Sequence, residues 1–484
     1  MKILKFGVKY SFVLCIFLNI LSCNTDDNTA AKGDSKSANG PASISIKVEG
    51  INSGTALLIA SFADQNFKID TATILEQGHF NFQEDSGYPQ GAYYVMLPNN
   101  KYFQIILSDK QKFSLKTQLA DPTATMEVTG NIDNELLYEN LKYEREIQPQ
   151  ISNLAQQLKG LTPSSPQYTP LKKKEKELVA KRKNHLAKLF ARSPNSLFES
   201  FKSAGQNPDL KEYYNSDGTF DFDAQVIQYR KEFWDNVDFT DERLIRTPVI
   251  YNKLKRYIKE LTVQQPDSIK IATKHLMDQV PLNSEFYKFF ANWIALQYEP
   301  TKTTLMDSEA IYVDMVQNYI TYEKAYWADS AQVFGLQQRA YEMAASLIGL
   351  KGPNVTANDP HGNSQSIDDI TSPYVIVYLY NPTCDHCIEQ TPKLVKFYNQ
   401  WKSKGVEVFA IAIDTDDESW KKFINKNSMN WINVYDPSNK SIYAKYYVDK
   451  TPEIYVLNQE RIIIGKNLKV EQIETILNKD KNLR

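Results

Sequence analysis

The run Tyr374-Val375-Ile376-Val377-Tyr378-Leu379-Tyr380, followed by Asn381-Pro382-Thr383 and then Cys384-Asp385-His386-Cys387, decides the fold of the C-terminal part of the chain. Seven consecutive residues, β-branched or aromatic except for Leu379, predict a strand buried on both faces of a parallel or mixed sheet. Asn381-Pro382 breaks the strand, and from Ile388 the apolar positions Leu394, Val395, Phe397, Tyr398 and Trp401 recur with a helical period. The CxxC pair therefore falls where a strand hands over to a helix N-terminus. The free N–H groups and the dipole of a first helical turn stabilise an anion, which lowers the pKa of the first thiol. Cys384 is the expected nucleophile. Cys387, one turn on and less exposed, is the expected resolving thiol, which attacks the mixed disulfide and releases the substrate.

Downstream, Val406–Ile413 reads as a second buried strand, 418–425 as a helix and 431–435 as a short strand. Thr451-Pro452 heads a further strand, Glu453–Leu457; residues 461–464 form its hairpin partner, and 470–478 a final helix. CDHC after a buried strand, Pro392 five residues past the second Cys and Thr451-Pro452 before the late strand resemble, in that order, the exported TlpA/ResA-type thiol–disulfide oxidoreductases of the thioredoxin-like fold. The resemblance covers about residues 350–484 and implies an α/β thioredoxin-like domain. It implies that Pro452 is cis, so that the Thr451 N–H and C=O can pair with a substrate strand. It also implies partners that are exported protein thiols or disulfides, an upstream membrane or periplasmic thiol donor, and no cofactor. Three positions depart from the family: Gln390 stands where many members carry a buried acid, Tyr378 where thioredoxin carries its buried Asp, and Thr383 where an aromatic precedes the first Cys. Proton transfer thus has no assigned residue. Within the motif Asp385 and His386 are the tuning positions, an imidazolium at His386 favouring the Cys384 thiolate and raising the reduction potential.

Upstream, 133–345 is helical text. Leu171, Leu178, Leu186 and Leu189 line one face of a Lys-rich segment over 171–191, and further helices are expected at 241–262, 267–279, 284–297 and 308–326, with Asp267, Asn283 or Ser284, and Asp307 or Ser308 as N-caps. The many aromatics here, from Trp234 to Trp327, read as a helical core. Residues 43–132 alternate with period two at Ile44-Ile46-Val48, Leu57-Ile59, Phe80-Phe82 and Tyr93-Val95-Leu97, between turns at Asn52-Ser53-Gly54, Gln77-Gly78 and Pro98-Asn99-Asn100. This predicts a small antiparallel β sandwich or barrel. Lys68-Ile69-Asp70, Gly78-His79-Phe80-Asn81-Phe82 and Val128-Thr129-Gly130-Asn131 make it similar to the uncharacterised β domain that precedes thioredoxin-like modules in Gram-negative lipoproteins. The stretch from Trp234 to Leu244 with Arg246-Thr247-Pro248 is similar to the helical domain of unknown function found between those modules.

The N-terminus reads as an address. Lys2, Lys5 and Lys9 precede an apolar run over 10–21 that is too short to span a bilayer, so 1–22 is expected to be a signal peptide. Ile20-Leu21-Ser22-Cys23 resembles the lipobox of bacterial lipoproteins, which makes Cys23 the lipidation site and polar 23–42 a flexible tether. The expected location is the cell envelope, anchored by lipid to the outer membrane on its periplasmic or surface face. Of four cysteines, Cys15 leaves with the signal and Cys23 goes to lipid, so the mature chain keeps one CxxC pair in a compartment where disulfides persist. Loss of three lysines moves the net charge from −2 to about −5, so attachment rests on acyl chains and not on basic residues. The near balance of 56 Lys+Arg and 58 Asp+Glu argues against a nucleic-acid partner, and 42% hydrophobic residues over 484 positions suffice for about three domains.

Zinc binding is the first alternative for the CxxC, but the histidines His79, His185, His275, His361 and His386 supply no second ligand pair, so no metal is expected. A structural disulfide is the second, yet a CxxC ring is strained and makes a poor staple. A peroxiredoxin-type peroxidase normally needs Thr three residues before its Cys and an Arg across the pocket; here Thr383 is adjacent, and Arg461 is the only Arg between Cys384 and Arg484. A ligand-binding surface lipoprotein with an accessory redox module is the alternative from another class. The reading is a multidomain chain of β, all-α and thioredoxin-like parts, acting as an envelope thiol–disulfide oxidoreductase in which the TlpA/ResA-like layout favours reductase or isomerase over oxidase.

Overall fold

The computed structural model describes residues 40–162, 164–435, 437 and 445–483. The expected signal peptide, Cys23 and nearly all of the tether lie outside the described residues. The chain forms two compact units that meet in sequence at Tyr257 and Ile258, so the helical text over 133–345 is shared between them.

The first unit opens with β1 (Ala42–Glu49), β2 (Thr55–Phe62), β3 (Gln65–Thr73), β4 (His79–Glu84), β5 (Gly91–Met96), β6 (Tyr102–Leu107), β7 (Lys112–Gln118), a helical turn α1 (Pro122–Thr125) and β8 (Glu127–Thr129). They build two four-stranded sheets, β4-β1-β7-β8 and β3-β2-β5-β6, neither closed on itself. Ile44, Ile46 and Val48 are fully buried and their neighbours are not, as the alternation requires. One expectation is corrected: the structure is not purely antiparallel, because β1 and β7 pair in parallel from Ser43↔Lys112 to Glu49↔Gln118. Such a pairing brings distant segments together and has no turn to announce it. Helices α2 (Ile132–Leu158), α3 (Tyr168–Arg192), α4 (Leu197–Ala204), α5 (Phe222–Lys231) and α6 (Pro248–Lys255) follow. Asn131 caps α2 by accepting the Asn134 N–H at 2.9 Å. Asn134 then acts as a strand mimic, accepting the Ile106 N–H at 2.8 Å and donating to the Ile106 C=O at 2.7 Å. The helix expected over 241–262 is broken into a 3-10 turn at Glu242–Arg246, α6 and a π turn at Arg256–Glu260. Pro248, without an N–H and with fixed φ, starts a new helix at its first position.

The second unit begins with α7 (Pro266–Met277), α8 (Glu285–Gln297), α9 (Glu309–Tyr319) and α10 (Ser330–Ala344). Ser284 caps α8, accepting the Tyr287 N–H at 3.1 Å. Of the other two expected caps, Asp267 is corrected, whereas Ser308 is the N-cap residue of α9. Gln265 precedes α7 with Pro266 at its first turn, and Ser308 stands at the start of α9 without a side-chain cap bond. A seven-stranded sheet follows, ordered β10-β9-β13-β12-β11-β14-β15, from β9 (Thr356–Asn358), β10 (Ser364–Ser366), β11 (Tyr374–Tyr380), β12 (Val406–Ala412), β13 (Ile432–Tyr435), β14 (Glu453–Leu457) and β15 (Ile463–Gly465). β11 is central and buried at every residue, parallel to β12 and antiparallel to β14. Its alternate side chains feed two cores. Tyr374, Ile376, Tyr378 and Tyr380 meet Leu394 and Phe397 of α11 (Asp385–Trp401), Trp420 and Phe423 of α12 (Asp417–Asn427), and Ile473 and Leu477 of α13 (Val470–Leu483). Val375, Val377 and Leu379 meet Val355, Ile367, Phe409, Tyr446 and Tyr455 on the opposite face.

Candidate active site

The CxxC pair sits where β11 ends. Asn381 shapes the turn: its Oδ1 accepts from the Thr383 N–H at 2.8 Å and the Thr383 hydroxyl at 2.7 Å, and its amide donates to the Asp414 carbonyl at 3.1 Å. The turn closes with Cys384 N–H donating to the Asn381 carbonyl at 3.1 Å, and α11 starts with Ile388 N–H donating to the Cys384 carbonyl at 3.0 Å. Cys384 is therefore the N-cap residue of α11, with extended backbone, and its thiol is partly exposed. Cys387 is fully buried, and the Asn381 N–H points at its sulfur at 3.4 Å. Both are free thiols.

Electrostatics divide the pair as the chemistry needs. Partial burial alone would push the Cys384 thiol up, but hydrogen bonding from the Thr451 side chain, from the Cys387 backbone and thiol and from the His386 backbone outweighs it, so the Cys384 pKa is lowered from the ordinary thiol value. Burial pushes Cys387 up to about 12, against the weaker opposing pull of the Asn381 N–H. Of the two sulfurs, Cys384 thus gives up its proton the more readily and Cys387 holds its own.

Thr451-Pro452, about 65 residues downstream in sequence, is brought to this point. The peptide bond between them is cis, and the Cys384 thiol donates to the Thr451 carbonyl at 3.3 Å. Both residues are partly exposed. His386 and Asp385 are exposed; His386 reaches Cys384 through its backbone N–H. Ile388 adds an apolar side chain, 43% exposed, within a turn of Cys384.

Behind the pair, the position without a buried acid holds a hydroxyl chain. Tyr378, fully buried, lies 2.8 Å from the Thr391 hydroxyl, which donates to the Cys387 carbonyl at 2.7 Å. Thr391 spends its proton on that carbonyl, so Tyr378 is the donor between them. Asn381 and Thr391 escaped the sequence reading. Asn-Pro after a buried strand was the available signal for the first, and a Thr four residues after Cys387 on the inner helix face for the second. Among the described residues no cluster of His, Cys, Asp and Glu could hold a metal, and no helix is long and apolar enough to cross a membrane.

The AhpC/TSA family matches residues 348–473. The thiol-disulfide oxidoreductase ResA of Bacillus thuringiensis (strain Al Hakam) is 28% identical over 136 residues, which are 27% of this chain and 78% of the relative. The C-terminal part of the chain is a thioredoxin-fold thiol–disulfide oxidoreductase. The upstream parts match a domain of unknown function (DUF4369) over residues 42–137 and another (DUF5106) over 225–341. Among solved structures, a domain of a possible thiol-disulfide isomerase from Cytophaga hutchinsonii is 32% identical and covers 28% of this chain and 94% of its own, with a TM-score of 0.27. A thioredoxin-like protein from Bacteroides caccae is 20% identical and covers 56% of this chain and 99% of its own, with a TM-score of 0.45.

Proposed function

We propose that this oxidoreductase exchanges disulfides with exported proteins in the cell envelope, anchored through a lipid on Cys23 and working as a reductase or isomerase. The observation that carries the reading is the pairing of a half-exposed Cys384, hydrogen-bonded to the Thr451 carbonyl, with a fully buried Cys387 thiol. The Cys384 thiolate attacks a substrate disulfide; that S–S bond breaks, a Cys384–substrate disulfide forms, and the substrate's second sulfur leaves as a thiolate that takes a proton. Cys387 then loses its proton and attacks the Cys384 sulfur, forming the Cys384–Cys387 disulfide and releasing the substrate dithiol. Two electrons pass from the pair to the substrate, so an upstream dithiol donor must restore them. Thr451 and Pro452 serve as the platform for the substrate backbone.

A partly exposed nucleophile beside the partly exposed Thr451-Pro452 backbone suits extended, unfolded or loosely folded protein segments. The lipobox-like Ile20-Leu21-Ser22-Cys23 supports the anchor, and the ResA relatives support the chemistry. Arg461 gives the peroxidase alternative no support, because its guanidinium is bonded to the carbonyls of Ile370, Ser372 and Asn458. The test is a mixed disulfide trapped in Cys387→Ser protein expressed in its own envelope. The reading expects covalent adducts on Cys384 with exported proteins; a Cys387→Ser chain that stays unmodified under conditions where wild type cycles would contradict it.

A further inference from the structure

The strand that carries the substrate platform is fastened by a buried ionic cluster that the exchange chemistry above does not use. Glu453 follows Pro452 directly and is 6% exposed. Its Oε1 accepts the Ile454 N–H at 3.2 Å and the Asn467 N–H at 2.9 Å. The Asn467 side-chain amide donates to Glu309 Oε1 at 2.8 Å, at the start of α9. Lys466, with no exposed surface, lies 3.5 Å from Glu309 Oε1 and 4.0 Å from Asp307 Oδ1, and donates to the Ser346 carbonyl at 3.0 Å. Asp307 Oδ2 accepts the Ile348 N–H at 3.4 Å. Three carboxylates thus share a water-poor site with one buried cation. Asp307 Oδ1 and Glu309 Oε2 have no hydrogen-bond partner among the described residues.

One lysine neutralises one carboxylate, and an uncompensated buried charge is costly, so the cluster is most comfortable when it holds protons. Burial pushes Asp307 up to about 7 against the pull of Lys466 and Lys270, with Glu309 adding to the rise. Burial likewise pushes Glu453 up to about 7, Lys466 opposing and Glu309 assisting. Among the described residues, the Tyr455 phenol also faces the cluster and is held neutral by burial.

We propose that Glu453 is a positioning residue for disulfide exchange: with Asp307, Glu309 and Lys466 it forms a clasp that pins the Thr451-Pro452 platform to the helical segment at Asp307–Glu309 and slackens as pH rises through neutrality. This rests on the exchange reading, because it acts on the loop that faces Cys384. The sign follows from linkage. Carboxylates whose folded pKa lies above the unfolded one contribute stability that is complete below the unfolded value and lost as pH climbs through the folded one. The clasp is tight in mild acid and loose above about pH 7. An envelope protein whose bathing pH follows the medium would bind substrate more firmly in acid.

The test compares the full chain with an Asp307→Asn/Glu453→Gln double variant between pH 5.5 and 8.5, reading the thermal midpoint and the KM for insulin disulfides. Wild type is expected to lose roughly 4 °C or more beyond the loss of the variant, and its KM to rise roughly two-fold or more while that of the variant stays level. Equal slopes in either readout overturn the proposal. Should the double variant not fold, the Ile454 amide of the wild-type protein is followed by NMR, since its N–H donates to the Glu453 carboxylate. A resonance that titrates with a midpoint near neutrality supports the clasp, and one flat across the range overturns it. The thermal and amide readouts involve no thiol, so a protein inert towards insulin but carrying these slopes would sink the exchange reading alone.

Discussion

Cys384 and Cys387 share a backbone turn yet differ in proton affinity because one sulfur faces donors at the mouth of a helix and the other faces the core. The native, reduced protein should therefore be alkylated by iodoacetamide at Cys384 in strong preference to Cys387. A depressed pKa means that the thiolate persists down to lower pH, so the alkylation rate plotted against pH should show its midpoint below the ordinary thiol value of 9.0. Peptide mapping of the modified protein checks both statements. A second prediction concerns Thr391, whose hydroxyl serves Tyr378 and the Cys387 carbonyl together. Thr391→Val keeps the shape and leaves the Tyr378 hydroxyl without its acceptor in a dry place, and it should cost about 1–3 kcal/mol in denaturant unfolding. Tyr378→Phe removes the orphan as well, so its cost should be smaller, about 1 kcal/mol.

At the scale of elements, β11 and α11 carry the site, and both were legible. Seven apolar residues in a row and a helical period starting at Ile388 are local signals, and the buried strand and the 17-residue helix follow from them. Since Ile376 has no exposed surface and sits among α11 and α13 side chains, Ile376→Ala should lower stability by about 2–5 kcal/mol, read as a shift of the denaturant midpoint at unchanged slope. What escaped the sequence has common physical causes. β9 and β10 are three-residue strands of Thr, Ala, Asn, Ser and Gln, too short and too polar to show a period. The parallel β1–β7 pairing joins residues about 70 apart, and pairing is not written in either strand alone. Proline overrode the helical pattern at 248. Nothing local marks Glu453 and Lys466 as buried, because charge defaults to solvent; their cluster is completed by Glu309, 158 positions from Asn467 in sequence.

For the molecule as a whole, the thioredoxin-like part occupies little more than a quarter of the chain, and the β and helical parts precede it. A lipid on Cys23 would hold all of them at a membrane while a polar tether spaces them from it. The wild-type protein should then stay in the membrane fraction in high salt and leave it in detergent, whereas Cys23→Ala should fractionate as soluble; equal partition of both in salt-washed membranes would contradict the anchor. The domains of unknown function set a separate question, answered by whether Cys384→Ala/Cys387→Ala protein still supports the cellular role. The proposed chemistry of the chain rests on the Cys384–Cys387 pair. Its most direct test is the rate of insulin disulfide reduction by wild type and by Cys384→Ser under the same dithiol donor. A loss of roughly 10³-fold or more is expected when the nucleophilic thiolate is removed; a Cys384→Ser protein that keeps the wild-type rate would rule out that role for the pair.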